Sequence, residues 1–315
     1  MLKDINDVKN IFISKQWIEC ILEENSGDLN FISVGNDKLP IITCRKFGFK
    51  IGGSPMRGWG TSKLSLLNDN GDDIIYKPGS EINFNYQELI ENLKSYNLDH
   101  YEFSLGTKLL ATPSNMKLIK RNTYLIELPK IVEEGWKNLG KKTRNMVRKA
   151  QKNNIVIRFD TDEGWIEKYW EILENTFAKN KLKVPFPLMR ISNLRDKLVK
   201  NNLLFVGAYK GAKMIAGAII PYNNYKMVYL SGAASPDYFK YAPNNLIQWE
   251  IIKYGIENNI EYYDMYGGGQ STIGRFKKSF GSKYYEFDHL VYENSLVLKM
   301  LIKIYPSYIK IRGLI

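Results

Sequence analysis

The sequence predicts an α+β fold built from two halves of similar plan, residues 1–125 and 126–315, each a mixed, mainly antiparallel sheet flanked by helices. Three observations lead there. Short apolar runs rich in β-branched and aromatic residues follow one another at close spacing, as in antiparallel meanders. A helical pattern precedes each set of three strands, and a second helix and a further strand follow it. The two halves share this order without a residue-by-residue repeat, so the duplication is one of architecture.

In the first half, Lys15 to Glu24 reads as a helix ended by the Asn25-Ser26-Gly27 breaker. Strands are expected at Leu29 to Val34, Leu39 to Lys46 and Phe49 to about Ser54. The stretch Gly52 to Ser62 then interrupts the pattern with four glycines and a proline. Arg57, Trp59, Gly60 and Thr61 within it form either a clamp for a ligand or a wide turn with Trp59 tucked into the core. A helix near Tyr86 to Tyr96 places Leu89, Ile90 and Leu93 on one face. Strands follow at His100 to Leu105 and Asn122 to Leu128.

Trp136 to Lys152 reads as one helix with Leu139, Thr143, Met146, Val147 and Ala150 on one side. Lys137, Lys141, Arg144, Arg148 and Lys152 fall on the other, and no acid stands between Gly135 and Phe159. Like charges at helical spacing repel one another. Such a face is either simply solvated or bound to something anionic, a phosphate or an RNA.

Helices at Glu163 to Lys179 and Leu188 to Asn201 precede strands at Leu203 to Lys210, Lys213 to Pro221 and Tyr225 to Ala233. Gly211-Ala212 and Asn223-Asn224 turn the chain between them. Pro243 suits the first turn of a helix reaching about Glu257. Leu246, Ile247, Trp249, Ile251 and Ile252 make that helix apolar almost all round and therefore buried. Its first turn, at Asn244 and Asn245 beside Tyr241, offers amides to an anion.

Ile260 to Met265 is the end of a buried strand containing Asp264. Tyr266 and three glycines, Gly267, Gly268 and Gly269, stop it and let a ligand approach the backbone. Arg275, Lys277 and Lys278 follow on a single helical turn around Phe276 and Phe280. The segment reads either as a ligand loop with its cations or as a glycine hairpin with solvated lysines. A last strand at Glu286 to Glu293 and a short apolar helix at Leu296 to Tyr305 close the chain, which ends with Lys310 and Arg312. The terminus either packs on the sheet or rests on an anionic membrane surface.

Composition narrows the partners. The 45 Lys and Arg outnumber the 33 Asp and Glu, a surplus of 12, which points to an anionic partner. Cys20 and Cys44 are the only cysteines and His100 and His289 the only histidines, so no disulfide framework, zinc site or histidine-rich metal site is expected. The charged start MLKDINDVKNIF is unlike a signal peptide, and no apolar run reaches spanning length. A cytoplasmic, reducing location is expected, with peripheral contact at the inner membrane face as a further expectation.

Two blocks carry a family resemblance. YLIELPKIVEEGWKNLGKKTRNMVRKAQKNNIVIR, Tyr124 to Arg158, resembles the start of the second domain in Fem-type peptidoglycan bridge-forming aminoacyl transferases and in related acyltransferases of polysaccharide biosynthesis with the GCN5-related N-acetyltransferase (GNAT) fold. APNNLIQWEIIKYGIENNIEYYDMYGGG with GRFKKSFGSK, Ala242 to Lys283, resembles their closing block of helix, strand, glycine loop and Phe-Lys motif. The resemblance implies two tandem GNAT-like domains and transfer of an acyl or aminoacyl group to an amine of a cell-wall or surface-glycan precursor. It matches Phe276 and Lys277 to the Phe-Lys pair, whose lysine stands at the reacting centre, and Arg144 and Arg148 to the basic helix motif.

The donor it implies is an acyl-CoA or an aminoacyl-tRNA, used as a co-substrate with no tightly bound cofactor. The acceptor is a nucleotide- or lipid-linked amino sugar or peptide. The long coiled-coil insertion of the larger Fem enzymes has no counterpart here. Tyr238 to Asn245 lacks the glycines of the pyrophosphate loop in coenzyme A-dependent relatives. On this reading Lys277 holds an oxyanion or a phosphate, the amides near Gly267 to Gly269 orient the donor, and Asp264 or Asp237 is a candidate base. A non-catalytic module that grips RNA or an anionic surface through the basic helix is the alternative.

Overall fold

The computed structural model describes residues 2–54, 65–74, 76, 79–111, 113–159, 164–179, 181–198 and 202–304. The expected clamp residues Arg57, Trp59, Gly60 and Thr61, and the tail cations Lys310 and Arg312, lie outside the described residues.

The chain divides into two units, Met1–Asn122 with Tyr285–Ile315, and Thr123–Tyr284. This differs from the expected division at residues 125 and 126. The physical reason is the strand Lys283–Glu293, whose Leu290, Val291, Tyr292 and Glu293 pair antiparallel with Phe103, Glu102, Tyr101 and His100 of the first unit. A ladder between residues so distant in sequence is invisible to a linear reading.

In the first unit the expected meander forms. Asp28–Val34 pairs antiparallel with Asp37–Lys46, which pairs antiparallel with Phe49–Ser54. Phe49–Ser54 then runs parallel to His100–Phe103. The helix Lys15–Asn25 begins at Ser14, whose hydroxyl accepts from the Trp17 amide, and it buries Trp17, Ile18, Cys20 and Ile21. Tyr86–Ser95 buries Leu89, Ile90 and Leu93, which join Ile41, Leu98, Phe103 and Leu290 in one core. Cys20 and Cys44 are buried free thiols, and burial pushes the Cys44 thiol up.

The only two histidines of the chain meet on one carboxylate here. His100 Nε2 lies 3.0 Å from Glu102 Oε1, and His289 Nε2 lies 2.8 Å from Glu102 Oε2, all three side chains being buried. Both Nδ1 atoms are buried without a hydrogen-bond partner. This geometry lets each ring donate through Nε2 to its own carboxylate oxygen and leaves both Nδ1 atoms unpaired. Glu102→Gln sets an amide N–H against a ring N–H. It should lower unfolding free energy by about 2 kcal/mol, read from the urea midpoint.

In the second unit Ile155–Phe159, Leu203–Lys210, Lys213–Pro221 and Ser231–Ala234 form an antiparallel sheet. Lys226–Val228 runs parallel to Tyr262–Asp264, which pairs antiparallel with Leu125, Ile126 and Glu127. The buried helix Pro243–Glu257 contributes Leu246, Ile247, Trp249, Ile251, Ile252 and Ile256 to the core.

Two elements read as continuous in the sequence are broken. The helix expected from Trp136 to Lys152 is instead Val132–Asn138 and Lys141–Lys152, separated by Leu139 in an extended conformation. Gly140 N donates to Ser279 O across 2.9 Å, so a contact distant in sequence captures the amide that a continuous helix would have used. The strand expected from Tyr225 to Ala233 splits at Tyr229 and Leu230. Tyr229 N bonds Asp264 O at 2.9 Å, whereas Leu230 N bonds Ile219 O at 3.1 Å. Successive residues thus follow different neighbours, and the sheet splays open beside Tyr229.

Candidate active site

A cavity of about 690 Å³ opens at this splay, within the range of small-molecule sites. Tyr229, Gly232 and Phe239 line one part of it, Asn244, Asn245 and Gln248 another, and Met265, Ile273, Phe276 and Lys277 the rest of the wall. The walls are mostly apolar, with one ammonium group and several amides facing the space. Among the described residues no group of His, Cys, Asp and Glu can hold a metal ion.

Lys277 sits on the helix Thr272–Lys278 and is 7% exposed. Its Nζ donates to Gly267 O and to Tyr266 O, the latter at 3.3 Å, and lies 5.9 Å from the centroid of the Tyr229 ring. Burial pulls its pKa from the ordinary lysine value down to about 8, opposed by the nearby Asp264 charge. The ammonium is therefore a poorly solvated cation that titrates near neutrality, aimed into an apolar space.

The loop before this helix holds the lysine. Tyr266 adopts φ +64°, a left-handed conformation that a bulky L-residue rarely takes. Its amide donates to Asp264 Oδ1 at 3.0 Å. Thr123 Oγ1 donates to the same oxygen. Asp264 is 2% exposed and is not among the cavity-lining residues. Its placement makes it a positioning residue that pins the Tyr266 turn and supplies countercharge to Lys277.

The glycine loop turns several carbonyls toward the protein. Tyr266 O and Gly267 O accept from Lys277, Gly268 O accepts from the Ser271 hydroxyl at 2.5 Å, and Gly269 O accepts from the Tyr124 hydroxyl at 2.8 Å. Ser271 caps the helix by accepting from the amides of Ile273 and Gly274. A Cβ on Gly274 would lie 1.9 Å from Gly269 O and 2.5 Å from the Tyr124 hydroxyl, so only glycine lets helix and loop approach this closely.

Tyr229 and Gln248 complete the wall. A Cβ on Gly232 would lie 1.7 Å from the Tyr229 hydroxyl, so the phenol occupies space a side chain there would fill. Burial pushes the Tyr229 pKa up to about 12 against the lowering effect of its hydrogen bond with Gln248. Gln248 Oε1 also accepts from the Tyr263 hydroxyl at 2.8 Å. The helix carrying Gln248 begins at the cavity, with Ala242 at φ +56° and Pro243 in its first turn, so its positive end faces the same space.

Of the residues singled out in the sequence, Phe276, Lys277, Asn244 and Asn245 line the cavity, and Tyr266 with Gly267 to Gly269 builds the cage behind it. Others stand elsewhere. Arg275 is exposed and bonds Thr272 Oγ1 at 3.3 Å. Tyr241 packs against Tyr238 and lies under Lys210 Nζ, 4.4 Å from its ring centroid. Arg144 donates to Lys137 O at 3.0 Å and to Leu139 O, capping the helix before it. Arg148 lies over the Trp136 ring at 5.2 Å, while Lys141 is exposed. The basic helix is fastened to the lysine helix by Thr143 Oγ1 donating to Ser279 Oγ at 2.8 Å.

Sequence reasoning missed Thr123, Tyr124, Tyr229, Gln248 and Gly274. Gly274 alone carried a signal, a glycine immediately ahead of the expected helical turn. The others are ordinary strand and helix residues until the fold brings them together.

Residues 137–278 match the family described as acetyltransferase (GNAT) domain. The lipid II:glycine glycyltransferase of Staphylococcus haemolyticus is 24% identical over 176 residues, half of this chain and 39% of that protein. A Staphylococcus epidermidis protein of the same description is 25% identical over 159 residues, 44% of this chain and 38% of its own length. The chain thus spans about two fifths of the curated relatives it matches. The crystal structure of FemX superposes with a TM-score of 0.65 at 14% identity, covering 93% of this chain and 94% of that one. L-PGS from Bacillus licheniformis gives 0.55 at 12% identity, covering 99% and 100%. These superpositions show a shared mixed α+β fold.

Proposed function

We propose that this chain, Fem-type in resemblance and GNAT in fold, transfers an acyl or aminoacyl group from an activated donor to an amine of a cell-wall or surface-glycan precursor. The observation that carries the reading is Lys277, a buried ammonium with a depressed pKa projecting into an apolar cavity at the splay of a sheet. The curated relatives, described as lipid II:glycine glycyltransferases, support aminoacyl transfer to a lipid-linked cell-wall precursor.

The chemistry asks for this arrangement. The nitrogen lone pair of an uncharged amine attacks the donor carbonyl carbon, a C–N bond forms, and the carbonyl π pair moves onto oxygen. The oxyanion then collapses and the ester C–O or thioester C–S bond breaks. One proton leaves the amine and one ends on the departing hydroxyl or thiol. No covalent enzyme intermediate is needed, so positioning and charge stabilisation supply the rate. Lys277 in its charged form stabilises the oxyanion, and the apolar walls strengthen that attraction by excluding water. Asn244, Asn245 and Gln248 are placed to orient the donor's polar groups. With Asp264 sealed away from the cavity, the amine proton leaves to water or to a group of the acceptor.

The test is direct transfer. Incubating the purified chain with lipid II, or with a nucleotide-linked muramyl peptide, and either glycine-charged tRNA or acetyl-CoA should add one glycyl or acetyl mass to an acceptor amine. Mass spectrometry reads which donor serves. Absence of any product across these pairs, with the protein folded, would refute the reading.

A further inference from the structure

The helix Leu296–Ile304 carries an outward apolar stripe that the transfer chemistry does not use. Leu296, Val297, Met300 and Ile304 are 70%, 61%, 62% and 63% exposed. They stand at i, i+1, i+4 and i+8, within about 100° of arc on a helix. Leu298, by contrast, is 1% exposed, so the opposite side of the helix is packed. The helix start is fixed as well. The amides of Asn294 and Ser295 both donate to Asp99 O, and Ser295 Oγ accepts from the Leu298 amide at 3.2 Å. The stripe is therefore presented by an anchored element.

We infer that this stripe docks the protein on an anionic lipid surface, with the helix lying in the membrane plane and its four outer aliphatic side chains entering the headgroup boundary. Charge complementarity selects this occupant. From Leu296 to Ile315 the sequence contains Lys299, Lys303, Lys310 and Arg312 and no Asp or Glu, and the whole chain carries a surplus of 12 positive charges. An apolar stripe on a helix whose sequence carries lysine and no acid has the composition of interfacial helices. No helix among the described residues is long and apolar enough to cross a membrane. A second copy fits less well. It would set the same cations against each other, and a stable protein interface engages roughly 20–30 residues a side rather than one stripe.

The inference does not depend on the transferase reading. Its test uses the full chain and flotation with vesicles of phosphatidylcholine alone or mixed in equal parts with phosphatidylglycerol. Binding is expected to the anionic vesicles and to be at least about tenfold weaker to the neutral ones. The double variant Val297→Glu with Met300→Glu, at exposed positions where folding should persist by circular dichroism, should reduce binding to the anionic vesicles by at least about tenfold. Lys299→Glu should weaken it by a smaller factor.

No binding to anionic vesicles would overturn the inference. So would a double variant that binds as well as the parent, which would move the contact to another basic surface such as Lys141–Lys152. A concentration-dependent dimer abolished by the same variant, without vesicle binding, would assign the stripe to a second copy and overturn it too. Transfer measured on a water-soluble nucleotide-linked acceptor should be unchanged in the double variant. This separates failure of the lipid inference from failure of the proposed reaction.

Discussion

Lys277→Met should lower transfer by about two to three orders of magnitude, the usual consequence of removing one oxyanion-stabilising group. The fold should survive. A lysine whose folded pKa is about 8, against 10.5 ordinarily, holds its proton less tightly in the native state than in the unfolded chain. Between those values the unfolded chain binds more protons, so this group makes stability rise with pH. Below about pH 8 the buried cation therefore opposes folding, on the order of 3 kcal/mol. Methionine removes that penalty but leaves the carbonyls of Tyr266 and Gly267 without their ammonium donor, a loss of about 1–3 kcal/mol each. The two effects nearly cancel, so the melting temperature at pH 7 should change little while activity collapses.

The same shift gives the pH profile. If the charged form acts, wild-type transfer at saturating acceptor should fall as pH rises through about 8, where Lys277 loses its proton. Lys277→Arg should lack that limb. Full turnover in Lys277→Met would remove this residue from the mechanism, and an unchanged limb in Lys277→Arg would assign the titration to another group.

Gly274→Ala should be the most damaging single-methyl change in the site. The added carbon would stand 1.9 Å from Gly269 O, a backbone atom that cannot rotate away, and 2.5 Å from the Tyr124 hydroxyl. Relief requires moving the helix Thr272–Lys278 off its loop, which breaks the grip of Tyr266 O and Gly267 O on Lys277. A loss of about 3 kcal/mol in unfolding free energy is expected, at the upper end of overpacking effects, with transfer falling at least tenfold among molecules that remain folded. Ser271→Ala, which removes the helix cap and the hydroxyl's bond to Gly268 O, should lose about 1–2 kcal/mol and most of its activity should remain. Tyr124→Phe combined with Gly274→Ala should not restore the enzyme, because the obstructing atom is the carbonyl of Gly269.

Much of the site was legible because its parts are contiguous. The run from Asp264 to Lys277 reads as strand, glycine stop and cationic turn within fourteen residues, and such local grammar depends on backbone preferences that neighbours in sequence set. Arg144 reads as a surface cation on the basis of helical periodicity alone. That reading changes because the expected helix breaks at Leu139 and Gly140, and the end so created takes Arg144 as its cap. Arg275, two residues before the lysine, turns to solvent because helical positions two apart point about 200° apart, on nearly opposite faces.

By itself the amino-acid sequence determined the α+β class and most of the strand and helix order, which follow from periodicity and local turn chemistry, while the Phe276–Lys277 pair stood out through its family resemblance. Tertiary structure alone decided what Lys277 is. Its depressed pKa comes from burial beside Tyr229, and carbonyls ten and eleven residues away in the chain hold the ammonium there. Asp264 became a buried countercharge because Thr123, 141 residues distant, reaches its carboxylate. The cavity exists because Tyr229 and Leu230 bond to two different strands. Desolvation and splay are properties of what surrounds a residue in space, and a linear sequence does not display those surroundings.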